Sequence, residues 1–333
     1  MSGFGNILDD IDEATEKGDN VEAVLQARQE TGARGLDSDE FRSAFQRAGQ
    51  IKIRKSLQTM VFGPEATGKT EFCITAHDIP SMRPLFWIAS EGKAMKSYLA
   101  HWMLLIKSEK EPNPGTNIER RGRAFRKWMD TQQVYIREVA VLDEDDVLDK
   151  AASFRNFEDT ARLVFKHART GTIIFDSATT VRDWGTALID AEAPSKFRGK
   201  DGEPIPFAWG RVNGSIKAIV QTAQQKNTGL IVTAECSDVY AKDKKGKTGA
   251  FAPKTGRMKP AIPKGMDYNL DFTLEGEKAF PPGKDKKLFR RKWSVYKSSL
   301  FSDWEETWYD LTVPMLIEST SRMGLDIGNI QDM

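Results

Sequence analysis

Gly63-Pro64-Glu65-Ala66-Thr67-Gly68-Lys69-Thr70 is a complete G-x-x-x-x-G-K-T loop, and the apolar run Met60-Val61-Phe62 stands directly before it. Two glycines at that spacing let the backbone curl until successive N–H groups point inward, where they meet phosphate oxygens. Lys69 then reaches the β- and γ-phosphates of a nucleotide, and the Thr70 hydroxyl is placed to ligate magnesium. The motif needs a strand before it and a helix after it. Leu57 to Phe62 reads as a short buried strand and 69–78 as a helix, so the context agrees. Gly63, Pro64, Glu65, Ala66, Thr67, Gly68, Lys69, Thr70 and Glu71 together form the candidate nucleotide-binding segment.

Outward from the loop, short apolar runs recur at Leu85 to Ala89, Val134 to Val139, Thr172 to Phe175, Leu230 to Thr233 and Leu270 to Leu274. Helical periodicity fills 93–107, 145–169, 180–192 and 210–227. Strands alternating with helices predict an α/β fold with a mainly parallel, doubly wound sheet. Two stretches interrupt the alternation. Glu109 to Lys127 carries Pro112, Pro114 and the cluster Arg120-Arg121-Gly122-Arg123, and Ala241 to Pro260 is rich in lysine and glycine. Both read as structure-poor insertions, a class of segment that is usually functional or mobile. Within the first, Ala124, Phe125 and Trp128 would pack one side of a charged helical face.

Three regions follow. Residues 1–50 are polar with helical spacing and form a helical N-terminal extension; 51–275 form the α/β core; 276–333 form a C-terminal β-rich addition and tail. In the last region Phe289 to Tyr296 and Trp304 to Leu311 alternate aromatic with charged residues, as a small antiparallel element does.

Composition excludes several classes. The 333 residues suffice for one large α/β domain with additions. With 49 basic and 48 acidic residues the net charge is +1, so the chain does not coat nucleic acid by bulk charge, although local basic patches remain. No apolar run approaches the roughly 18 residues of a membrane span, and Met1-Ser2-Gly3-Phe4-Gly5 has no basic segment leading into an apolar core. A soluble cytoplasmic protein without a membrane partner is expected. Cys73 and Cys236 lie in apolar neighbourhoods and read as buried thiols in a reducing compartment. His77, His101 and His167 lack ligand spacing, which gives no support to a zinc site.

Hydrolysis of a nucleotide needs a secured magnesium ion and a group that activates water. Thr172-Ile173-Ile174-Phe175-Asp176 is an apolar strand ending in a carboxylate, the Walker B pattern, so Asp176 joins Thr70 as a candidate metal residue. Glu91 ends the run Leu85-Phe86-Trp87-Ile88-Ala89-Ser90 and is the general-base candidate, because strand ends after the phosphate loop converge on the γ-phosphate. Glu235 ends Ile231-Val232-Thr233-Ala234, where it would sense the γ-phosphate and relay its presence into the segment that follows. That segment holds Lys242, Lys244, Lys245 and Lys247, mobile cations suited to nucleic-acid phosphates, and Phe251, suited to stacking on a base. A solvated charged loop is the plain alternative there.

These residues carry a resemblance. Gly-Pro-Glu-Ala-Thr-Gly-Lys-Thr is similar to the RecA form of the phosphate loop. The order of loop, strand ending in Glu91, strand ending in Asp176-Ser177, then strand leading into a flexible segment resembles the RecA-like ATPase core. The likeness is nearest to compact RecA-like ATPases of phages and archaea, described broadly as AAA-domain proteins and associated with single-strand annealing and recombination. Those share the Asp-Ser pair, a glycine after an aromatic, as in Trp209-Gly210, and a Thr-Ala-His strand end, where this chain has Thr233-Ala234-Glu235.

Over roughly 55–275, the resemblance implies that Glu91 is the catalytic glutamate, Asp176 the Walker B aspartate and 241–260 a second DNA-binding loop. It also implies ring or filament homo-oligomers in which a neighbour's cation completes the site, with Lys254, Arg257, Lys259 and Lys264 as candidates. The expected function is ATP binding and hydrolysis with Mg²⁺, with Lys69, Glu91 and Glu235 in catalytic roles, coupled to single-stranded DNA in recombination, annealing or replication. The alternative is a nucleotide-switched assembly module with slow turnover and no nucleic-acid binding. A small-molecule kinase is disfavoured, since no compact lid with an acceptor site is visible.

Overall fold

A computed structural model of the chain describes residues 56–167, 171–192, 198–200, 205–240, 254–279, 290–301 and 304–323. The N-terminal helices expected within 1–50 lie outside the described residues. So do Lys242, Lys244, Lys245, Lys247 and Phe251.

Strand β1 (Gln58–Phe62) feeds the phosphate loop and α1 (Lys69–Ile74). There follow β2 (Leu85–Ala89), α2 (Ala94–Lys107), α3 (Ile118–Thr131), β3 (Val134–Glu138), α4 (Lys150–His167), β4 (Thr172–Asp176), α5 (Ala178–Glu192), α6 (Gly210–Gln225) and β5 (Gly229–Ala234). The chain continues through β6 (Cys236–Tyr240), β7 (Lys254–Pro260), β8 (Phe272–Ala279), β9 (Arg290–Ser298), β10 (Thr307–Tyr309) and α7 (Val313–Arg322).

Eight strands form one sheet in the order β10-β9-β8-β1-β5-β4-β2-β3, and β6 and β7 form a separate ribbon. From β8 to β3 the pairings are parallel, while β9 and β10 run antiparallel. All of β1 is buried, as a parallel sheet covered on both faces requires. Alternate residues serve the two cores. Met60, Phe62, Ile173, Phe175, Leu230 and Val232 pack with Phe154, Phe157, Val181 and Ile216, so α4 to α6 cover that face. Val61, Trp87, Ile174, Ile231 and Trp293 pack with Phe72, Tyr98, Trp128 and Leu316, so α1 to α3 and α7 cover the other. Each such large apolar side chain contributes about 1.5–3 kcal/mol on full burial. Phe157 on Phe175, with ring centroids 4.6 Å apart, adds an aromatic contact.

The structure departs from the sequence reading at five places. The stretch Glu109 to Lys127 is not structure-poor. Asn117 caps α3 by accepting the Arg120 N–H at 2.9 Å, Phe125, Trp128 and Met129 are buried, and Arg120, Arg123 and Arg126 face solvent. The part of 241–260 from Lys254 onward is likewise ordered as β7, paired antiparallel with β6. Helix α4 starts at Lys150 instead of 145. Asp143 Oδ1 accepts the N–H groups of Asp145 (3.0 Å) and Val147 (2.9 Å), closing a turn that competes with the helix, and Asp149 then caps α4 through Ala152 N–H at 2.9 Å. Finally, Cys73 is buried as expected, but Cys236 is partly exposed; both are free thiols. Strand β8 runs through the division expected after residue 275, so β9 and β10 extend the core sheet. No helix among the described residues is long and apolar enough to cross a membrane.

Candidate nucleotide site

The parallel strands deliver their carboxyl ends to one place. Ala89 lies opposite Asp176 in the β2–β4 pairing, and Phe62 lies opposite Ala234 and Glu275 in the pairings of β1. The residues that follow these ends therefore share a cleft, lined by Glu65 to Glu71, Glu91, Lys93, Asp176, Ser177 and Glu235. Crevices outside the carboxyl ends of parallel strands are where α/β folds bind ligands.

Two glycines explain the loop's shape. Gly63 has φ +153° and its Cα abuts β8 so closely that a Cβ would stand 2.2 Å from Gly276 O. Gly68 has φ +88°, a left-handed conformation that glycine adopts without steric cost. Thr67 Oγ1 donates to Pro64 O at 2.9 Å and closes the loop on itself. The first internal helical bond is Phe72 N–H to Gly68 O at 2.9 Å. The N–H groups before it have no intrahelical acceptor, which is the property that binds anions. Lys69 Nζ donates to Gly63 O (2.7 Å) and Pro64 O (2.9 Å), folded back over the loop. Burial pushes its ammonium pKa down, and Glu235 and Asp176, then Cys236 and Glu91, pull it back upward.

Between β2 and β4 a hydrogen-bond stitch fixes the two acids relative to each other. Ser90 N–H and Oγ both donate to Asp176 O (2.7 and 3.0 Å), and Ser177 N–H donates to Ser90 Oγ at 2.8 Å. The Asp176–Ser177 peptide is cis. Thr233 on β5 donates its hydroxyl to Asp176 Oδ1. Burial raises the Asp176 carboxyl pKa, the Thr233 hydrogen bond opposes this, and the Glu91 charge adds to it. Ser177 Oγ accepts the Thr180 N–H at 3.2 Å, capping α5, and Thr180 Oγ1 donates to Glu91 Oε1 at 3.0 Å. Lys93 Nζ donates to Glu91 Oε2 at 2.8 Å. Burial drives the Glu91 carboxyl upward, but the hydrogen bonds from Lys93 and Thr180 outweigh it and hold Glu91 below the usual glutamate pKa. Glu91 is thus kept ionised beside the cleft.

In the sheet, the loop strand β1 is separated from the Asp176 strand β4 by one strand, β5, and the Glu91 strand β2 lies just beyond. The fold is of the α/β class with a mainly parallel sheet, as the alternation of strands and helices predicts. Comparison with known proteins adds likeness of structure without likeness of sequence. No family model matches the chain, and no curated protein sequence does. Among solved structures it is similar to the RadB recombinase (TM-score 0.38, 13% identity, 76% of this chain and 86% of that one). It is also similar to an ATPase domain (TM-score 0.44, 9% identity, 77% and 81%) and to an ATPase of the type III secretion system of pathogenic bacteria (TM-score 0.34, 9% identity, 67% and 53%).

All of the expected site residues within the described chain reach the cleft or its loop: Lys69, Thr70, Glu91, Asp176 and Glu235 line it together. Glu235 is exposed. Its N–H donates to Thr179 Oγ1 at 3.0 Å, Thr179 Oγ1 donates to Ala261 O at 3.1 Å, and Ala261 N–H donates to Glu235 O at 2.9 Å. The β6–β7 ribbon is therefore anchored at its base to α5, two residues beyond Ser177. Lys254, Arg257, Lys259 and Lys264 do not line the cleft of their own chain, and Lys254 pairs with Asp238 at 2.5 Å.

Sequence reasoning missed Ser90, Lys93, Thr180, Thr233 and Arg291. Lys93 and Ser90 flank Glu91 within the same strand-end turn, and Thr180 stands four residues after Asp176 on a helix, so spacing alone carried a signal for these three. Arg291 carried none, because its position depends on β9 joining the sheet beside the loop. Its Nη2 stands 3.2 Å from Glu71 Oε1.

The cleft is lined by the acids Glu65, Glu71, Glu91, Asp176 and Glu235 and by the cations Lys69 and Lys93. Carboxylates outnumber ammonium groups there, so the local charge of the cleft favours a cation. Among the described residues, no three or more His, Cys, Asp or Glu side chains converge to hold an ion unaided. One carboxylate, Asp176, and one hydroxyl, Thr70, are the oxygen donors that magnesium takes when nucleotide phosphates supply the rest. The residues fit that ion.

Proposed function

We propose that this chain is a magnesium-dependent ATPase whose turnover is coupled to single-stranded DNA during recombination, annealing or replication. The observation that carries the enzymatic half is the convergence of Lys69, Asp176 and an ionised Glu91 on the phosphate loop. Binding of the phosphates draws Lys69 Nζ away from the Gly63 and Pro64 carbonyls toward the β- and γ-oxygens. Thr70 and Asp176 would hold the magnesium ion, which would supply positive charge against the phosphates. Glu91 orients the attacking water and accepts its proton, and the γ-phosphoryl group passes to that water with ADP as the leaving group.

Support for the nucleic-acid half comes from the ribbon. It departs from Glu235, at the edge of the γ-phosphate end, and its base is tied through Thr179 to the helix that begins beside Asp176. Residues 242–251, with the lysines and Phe251, connect its two strands. A change at Asp176 or Glu235 thus has a short covalent and hydrogen-bonded route to them. Homo-oligomers, as ring or filament, belong to the same reading, with Lys254, Arg257, Lys259 or Lys264 of a neighbour entering the acidic cleft.

ATP hydrolysis measured with single-stranded DNA, duplex DNA and RNA tests this. Hydrolysis should require Mg²⁺, rise with single-stranded DNA, vanish in Lys69→Ala and fall steeply in Glu91→Gln while ATP still binds. Equal rates with and without DNA at every salt concentration would leave a nucleotide-switched assembly module as the surviving reading.

A further inference from the structure

Arg291 stands on β9, in a part of the chain with no expected role at the site, and yet its side chain lies on the phosphate loop at Gly68, next to the residues that line the cleft and not among them. A Cβ built on Gly68 would stand 2.5 Å from Arg291 Cδ, 2.9 Å from Nε and 3.0 Å from Nη1, so the guanidinium covers that glycine directly. Strand alternation explains the aim. Arg291 and Trp293 share a face, and Trp293 is buried against Phe72 of α1, with ring centroids 5.9 Å apart. Arg290 and Lys292 point the other way, where they pair with Asp310 and Glu277. Among the described residues, the Arg291 guanidinium has one polar partner, Glu71, at 3.2 Å, which leaves most of its five donors unused.

The location selects a part of the nucleotide. Glu91, Asp176 and Glu235 stand at the ends of β2, β4 and β5 and, on the reading above, mark the γ-phosphate end of the cleft. Gly68 belongs to the loop backbone that cradles the α- and β-phosphates, and Glu71 stands in the first turn of the helix that follows it. We propose that Arg291 is a nucleotide-binding residue that grips the α/β-diphosphate from the side of β9, and that Glu71 holds it in place until the nucleotide arrives. A planar guanidinium suits two phosphate oxygens, and exchanging one exposed carboxylate for a diphosphate leaves it better satisfied. Because the grip excludes the γ-phosphate, it acts on ATP and ADP alike. Glu71 competes with the nucleotide for the same guanidinium.

This inference rests on the nucleotide-binding reading above, and equilibrium binding of fluorescent ATP and ADP analogues with Mg²⁺ separates the two. Wild-type protein that binds neither nucleotide overturns both. Given wild-type binding, Arg291→Ala should raise the Kd for ATP and ADP by about tenfold each, and Arg291→Lys should fall between. Glu71→Gln should lower both Kd values by about threefold, since the competing carboxylate is gone. If Arg291 were only a structural brace for α1, Arg291→Ala and Glu71→Gln would weaken binding in parallel, which overturns the proposal. It is also overturned if Arg291→Ala matches wild type, or if it weakens ATP alone, which would place the side chain at the γ-phosphate.

Discussion

Replacing Lys93 by alanine removes one of two donors that keep the Glu91 carboxylate ionised. Its Nζ approaches Oε2 to 2.8 Å, but the two side chains are 71% and 32% exposed, so water and salt screen the pair. An exposed pair of this kind is worth about 0.2–1 kcal/mol. Losing it moves the Glu91 pKa upward. Thr180 is the second donor, at 3.0 Å and partly buried. A hydrogen bond to a charged group contributes about 1.5 kcal/mol at the low end of its range, so Thr180→Val should also raise the pKa. Water attack needs the ionised carboxylate, so the acid limb of kcat against pH should move to higher pH in both variants, further for Thr180→Val. Steady-state ATP hydrolysis at saturating Mg-ATP, measured at low and high salt, reads this directly. The Lys93→Ala shift should shrink in salt while the Thr180→Val shift persists. An acid limb unmoved in both variants would refute the assignment of Glu91 as the titrating base.

Two further outcomes follow from burial and backbone geometry. Asp176 has its folded pKa raised, chiefly by burial; its ionisation therefore opposes folding, an effect absent below the unfolded pKa of about 3.9 and growing as pH rises through the folded value. Asp176→Asn keeps an acceptor for Thr233, so it should melt higher than wild type at neutral pH, lose that advantage in acid, and lose Mg²⁺-dependent hydrolysis; a lower melting temperature at neutral pH contradicts the sign. Gly63→Ala places a Cβ 2.2 Å from Gly276 O, which should cost about 1–3 kcal/mol in thermal or urea unfolding and weaken ATP binding together; a fully stable variant with native ATP affinity would show that the loop does not depend on this contact.

The phosphate loop, the alternation of strands and helices, and the acids at strand ends were legible in the sequence because they rest on local chemistry. Met60, Val61 and Phe62 announce a strand buried on both faces, and a loop with glycines at 63 and 68 has few other conformations open to it. Glu91, Asp176 and Glu235 could be named because each ends an apolar run, and parallel strands carry their ends to the same edge. The polar strand at Lys254 to Pro260 was not legible, since its order comes from pairing with β6 and not from an apolar face of its own. Spacing put Lys93 and Thr180 near strand ends, but the hydrogen bonds by which they set the charge of Glu91, one of them across 89 residues of chain, were not legible. Arg291 is the clearest case. Sequence alone shows a basic, aromatic strand 220 residues after Glu71. Only the sheet order, with β8 beside β1 and Trp293 packed on Phe72, brings its guanidinium onto Gly68, because strand pairing and core packing act between residues that the order of the chain keeps apart.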